Sequence, residues 1–83
     1  MQINLAAMSI KSATFGDTTN EYGHVIIDSN PNHVVVSACV DGGYINHPFK
    51  YSGNMAWYLH VMNIGGTNLA NTAVTGTYYY LEM

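Results

Sequence analysis

Turn-forming residues interrupt this chain at such short intervals that no segment is free to run as a long helix. Gly16-Asp17-Thr18-Thr19-Asn20, Asn30-Pro31-Asn32, Asp41-Gly42-Gly43, Ser52-Gly53-Asn54 and Asn63-Ile64-Gly65-Gly66-Thr67-Asn68 divide it, and each cluster supplies residues that favour backbone reversal. Between them Ala, Leu, Glu and Lys never recur at helical spacing. The intervening segments are instead rich in Val, Ile, Thr and Tyr, the residues that suit a pleated surface. The chain is therefore expected to be β-structured throughout.

The clearest strand spans His33 to Val40, bracketed by turn signals on both sides. Asp41-Gly42 after it is a favoured hairpin pair. Tyr44 to Tyr51 follows as a short strand interrupted by Pro48, which cannot donate to a ladder and so belongs on an edge or at a bulge. From Met55 to Met62, residues Met55, Trp57, Leu59 and Val61 alternate with Ala56, Tyr58, His60 and Met62, and the first set is the better core face. Thr72 to Leu81 forms a long strand ending in Tyr78-Tyr79-Tyr80, of which alternate tyrosines are expected to pack. Ile3 to Phe15 and Gly23 to Ser29 read as earlier strands. About five or six short strands with frequent turns indicate one domain over residues 1–83, all-β, a small antiparallel sandwich or barrel of jelly-roll-like type.

At 83 residues a lone domain buries only about 60% of the surface its unfolded chain exposes, so support from partner chains is expected. Charged residues make up 8% of the sequence, far below the roughly 25% of an average soluble domain. Lys11 and Lys50 are the only basic residues besides histidine, which leaves almost nothing to neutralise phosphates, and nucleic acid is not an expected partner. The same shortage argues against docking to anionic membranes. No apolar run approaches the roughly 20 residues of a spanning helix, and Met1-Gln2-Ile3-Asn4-Leu5 lacks the features of a secretory signal. Cys39, the sole cysteine, excludes an intrachain disulfide. Within the run Val34 to Val40 it is expected to behave as a small hydrophobe.

Motifs for chemistry are missing. None of His24, His33, His47 and His60 lies two or four residues from another or from a carboxylate in a ligand pattern, so polar strand-surface roles are expected and no metal or other cofactor. A histidine site would gain force only if residues from different strands converged. The acids Asp17, Glu21, Asp28, Asp41 and Glu82 form no paired motif, and no nucleophile elbow or phosphate loop is present. No catalytic residue is expected. What stands out is Trp57, seven tyrosines and many asparagines, a combination that gives rigid contact area with hydrogen-bonding tips.

From about Val34 to Glu82 the chain resembles the C-terminal receptor-binding heads of tail-fibre and minor structural proteins in phages of Gram-positive bacteria. The matching elements are Val34-Val35-Val36-Ser37-Ala38-Cys39-Val40 closed by Asp41-Gly42, then Pro48-Phe49-Lys50-Tyr51, Trp57-Tyr58-Leu59-His60-Val61, and Leu69 to Tyr80. Gly23-His24-Val25-Ile26-Ile27 is similar to an early strand of that family. The resemblance implies a compact β head that forms homotrimers at a virion tail tip, contacts other tail proteins, resides in the host cytoplasm before assembly, and binds host cell-wall saccharide. No shaft or coiled coil precedes the matching region, and the family fixes no ligand residues. Tyr44, Asn46 and His47, beside the Pro48 interruption, and Tyr58, on the less apolar strand face, are the candidate saccharide-binding residues. A virion assembly or decoration protein that binds only other subunits is the alternative.

Overall fold

A computed structural model describes residues 9–51, 53 and 55–83. Among these residues six strands form two three-stranded antiparallel sheets: β1 (Ile10–Thr18), β6 (Ala73–Glu82) and β3 (His33–Val40) in one, β2 (His24–Asp28), β5 (Trp57–Met62) and β4 (Ile45–Phe49) in the other. The central strands β6 and β5 pair on both edges, and the two sheets close over a shared core. Only β4 and β5 are joined as a hairpin; every other connection passes from one sheet to the other.

The core follows from period-two alternation on each strand. Leu59 and Val61 of β5 are fully buried and meet Val25 and Ile27 of β2 and Val35, Val40, Val74 and Tyr78 of the opposite sheet. Trp57 packs against this cluster as expected, whereas Met55 precedes the strand and is exposed. Pro48 lies on the edge strand β4, opposite Leu59, where its missing N–H costs no central ladder bond.

Three sequence expectations are corrected. Gly16 to Thr18 belong to β1 rather than to a separating turn, since Gly16 pairs with Thr75 and Thr18 with Ala73; the first residues of the expected Ile3–Phe15 strand, and Ser52 and Asn54 of the expected turn, fall outside the described residues. Asp41-Gly42 does not close a hairpin. The Asp41 N–H donates to the Thr75 carbonyl and its carboxylate accepts the Thr75 hydroxyl at 2.8 Å, which ties the end of β3 to β6. Gly42 and Gly43, at φ 102° and 78°, then carry the chain across to the other sheet through backbone angles that L side chains rarely adopt. Cys39 is exposed, because it pairs with Thr77 on the outer face of the first sheet.

Gly76 shows how tightly the inner face of that sheet is filled. A Cβ built there would clash with the Cys39 carbonyl and sit 2.9 Å from the Phe15 ring. Gly76→Ala is expected to cost about 1–3 kcal/mol through overpacking. Chemical denaturation of the variant against Gly16→Ala, whose added Cβ would meet only ordinary contacts at 3.5 Å or more, checks this; equal losses would contradict it.

Candidate functional site

Two side-chain clusters stand apart from the apolar core, and they differ in character. The first is internal. A β-bulge between Ile26 and Asp28 adds one residue to β2, so that Ile27 and Asp28 both end up buried, the re-aiming that bulges permit. Asp28 accepts hydrogen bonds from the Tyr78 hydroxyl at 2.7 Å, the Asn30 N–H at 2.8 Å and His33 Nδ1 at 2.7 Å. His33 stacks on Tyr80 at 4.0 Å, its Nε2 lies 3.3 Å from Glu82, and Lys11 pairs with the other Glu82 oxygen at 2.9 Å. Burial alone would raise the Asp28 carboxyl, but the hydrogen bonds it accepts from His33, Tyr78 and Asn30 hold it below its usual range. The hydrogen bond to Asp28 raises the His33 imidazole against the opposing effect of desolvation. Burial, followed by the bond to Asp28, pushes the Tyr78 phenol upward. Among the described residues no buried side-chain nitrogen or oxygen is left without a partner, and the network joins β2 of one sheet to β3 and β6 of the other. It is a structural clamp.

The second cluster covers the outer face of the β2–β5–β4 sheet. Residues that alternate with the core point outward from all three strands: His24 and Ile26 from β2, Tyr58, His60 and Met62 from β5, Ile45, His47 and Phe49 from β4. In register, His24 opposes His60, which opposes His47, and Tyr58 lies between Ile26 and Phe49. Phe49 stacks on Tyr58 with ring centres 5.5 Å apart. Tyr51, just past β4, meets Phe49 at 5.2 Å and Tyr58 at 4.9 Å, and its hydroxyl hydrogen-bonds His24 Nδ1 at 2.9 Å. His24 in turn lies 4.8 Å from the Phe49 ring. Such offset and edge-on contacts fix the orientation of the rings. These outward strand positions hold no Asp, Glu or Lys.

His47 and Tyr58 therefore share one surface, as the expected site requires. Tyr44 and Asn46 do not join them: Tyr44 packs against the core cluster, and Asn46 opposes buried Val61 on the inward side of β4. The structure adds His24, Phe49, Tyr51 and His60, which sequence reasoning passed over. The alternation of Met55–Met62 already placed His60 beside Tyr58, and the Ser52-Gly53-Asn54 turn pointed to the β4–β5 pairing that brings in Phe49 and Tyr51; the pairing of β2 with β5, which brings in His24, leaves no local signal.

The surface is a flat sheet face. Among the described residues there is no enclosed pocket and no group of three or more His, Cys, Asp or Glu arranged to hold a metal ion. No helix is long and apolar enough to cross a membrane among the described residues. Comparison with protein-family models, curated proteins and solved structures gives no match.

Proposed function

We propose that this chain is a non-catalytic binding module, the receptor-binding head of a phage or phage-like tail, which engages a host-surface saccharide on the outer face of the β2–β5–β4 sheet. The observation that carries this reading is the continuous face of Phe49, Tyr51, Tyr58 and flanking imidazoles, with Tyr51 47% exposed and no carboxylate or ammonium among the outward strand positions. Aromatic planes present apolar surface to the C–H faces of a sugar ring. The Tyr51 hydroxyl and the imidazoles add hydrogen-bonding groups at the rim. A flat platform without a pocket suits an extended chain of sugars better than an enclosed small molecule.

Trimer formation belongs to the same proposal, and several copies side by side would raise a weak single-site affinity through avidity. Glycan-array and host-cell binding by the intact protein test the reading. Tyr51→Ala is expected to weaken binding at least about tenfold, or roughly 1.4 kcal/mol, while Tyr79→Ser on the outer face of the other sheet leaves it unchanged. Absence of any glycan binding, or equal binding by Tyr51→Ala, would refute it.

A second reading, a subunit that contacts only other virion proteins, draws on exposed Ile26 and Ile45 on the same face. The outer face of the first sheet adds to it: Ile10, Ser12 and Thr14 of β1, Thr77, Tyr79 and Leu81 of β6, and Val34, Ser37 and Cys39 of β3 share that surface by register and include no charged side chain. Light scattering that shows assembly without any accompanying glycan binding would favour this alternative.

A further inference from the structure

Three imidazoles from three strands stand side by side on the outer sheet face. His24, His60 and His47 are direct cross-strand partners, so their side chains leave the sheet in the same direction from neighbouring backbones. The ring centres of His24 and His60 lie 4.9 Å apart, and those of His60 and His47 lie 5.2 Å apart.

Two of these rings already have one nitrogen engaged. His60 Nε2 is 2.7 Å from Asn68 Oδ1; an amide oxygen can only accept, so the proton sits on Nε2 and the lone pair is left on Nδ1. His24 Nδ1 is held at 2.9 Å by the Tyr51 hydroxyl, and the tautomer that donates this bond leaves its lone pair on Nε2. A hydrogen bond at one ring nitrogen, orienting the ring so that the other can bind, is the usual outer-shell arrangement of a metal-bound histidine. Divalent zinc binds imidazole nitrogen at about 2.0–2.1 Å, which puts two ring centres about 5 Å apart at a tetrahedral angle. The His24–His60 spacing already matches. The two ring planes now stand at 87°, and aiming both free nitrogens at one point requires rotation about χ2, a broad torsion, with Tyr51 and Asn68, both at exposed positions, moving with the rings they bond.

We propose that His24 and His60 form a two-imidazole chelating site for a divalent late first-row ion (zinc, nickel or copper), with His24 Nε2 and His60 Nδ1 as donors and water completing the sphere. Imidazole is a good ligand for each of these ions. The site goes beyond the saccharide reading and does not depend on it.

Calorimetric titration of the full chain with nickel chloride and with zinc chloride at neutral pH tests the site, with NMR of the imidazole resonances as a second readout. One ion per chain is expected, with the His24 and His60 resonances shifted. His60→Gln and His24→Gln are each expected to weaken binding at least about tenfold, while His47→Gln and His33→Gln change it by less than about threefold. Circular dichroism shows whether each variant keeps its fold, and a retained fold is expected for the His24, His47 and His60 variants, whose side chains lie on the outer sheet face. In the parent protein the metal is also expected to raise the melting temperature, since it binds only the folded arrangement. No binding, binding that survives His60→Gln, or binding lost in His47→Gln and kept in His24→Gln would overturn the assignment.

Discussion

Leu59→Ala is expected to lower the unfolding free energy by about 2–5 kcal/mol. Leu59 is fully buried on the central strand of its sheet, between Val25 on β2 and Pro48 on β4, and it faces the apolar residues of the opposite sheet. Neighbours fixed in two ladders cannot collapse far into the space a truncated side chain leaves, which puts the cost toward the upper part of that range. A domain of 83 residues has about 4–12 kcal/mol of total stability, so the single change removes a large fraction of it. Urea denaturation should show a lower midpoint with an unchanged slope. A loss below about 1 kcal/mol would mean that the core is not centred on this strand.

Asp28→Ala is expected to cost about 3–5 kcal/mol, the range for removing one partner of a buried charged network. The loss leaves the buried Tyr78 hydroxyl without its acceptor and releases His33 and the Asn30 N–H, undoing the polar tie between the sheets. Two opposite pH dependences accompany the clamp. Asp28 is held below its ordinary value of 3.8, so the folded state gains stability above that pH and loses it as pH falls through the lowered value. His33 is raised above 6.5, so its contribution is complete below pH 6.5 and fades as pH rises through the raised value. Together the two place the clamp's greatest contribution between about pH 4 and 6.5. His24, shifted downward, acts against His33 in the upper part of this range. The His33 share is therefore read as the difference between parent and His33→Gln melting profiles, which should shrink as pH rises from 6 toward 8. A difference that grows over that interval would contradict the role assigned to His33.

Much of the architecture is legible in local pattern. β3 begins and ends at the expected residues, β4 takes the edge position that Pro48 demands, and the alternation of Trp57, Leu59 and Val61 with Tyr58, His60 and Met62 gives both faces of β5. Most of the failures share one cause, which is that pairing between distant strands has no local signature. Cys39, read as a small hydrophobe within the run Val34 to Val40, is exposed because β3 is covered on one side only, and a bulge at Val36 sets which later residues face out. Turn chemistry at Asp41-Gly42 announces a reversal without saying which sheet the chain enters next. The Asp28 clamp depends on a second bulge, and the histidine ladder on the register of β2, distant in sequence, against the β4–β5 hairpin. Tyr44 and Asn46, chosen for their nearness to Pro48 along the chain, fail for a different and local reason: on a strand, sequence neighbours point to opposite sides, so neither shares the face of His47.

Strand β5 serves the interior with every second residue and the outer surface with the rest, and this sets what kind of genetic change it can absorb. Substitutions at 58 or 60 alter the surface and leave the packing at 59 and 61 in place, so the outer face is free to diversify one side chain at a time. Insertion or deletion of a single residue within the strand is another matter, because it would exchange the two roles at once and turn Tyr58 and His60 inward against an apolar core. Relatives of this chain should therefore vary in composition at the outward positions of β5 while keeping its length unchanged.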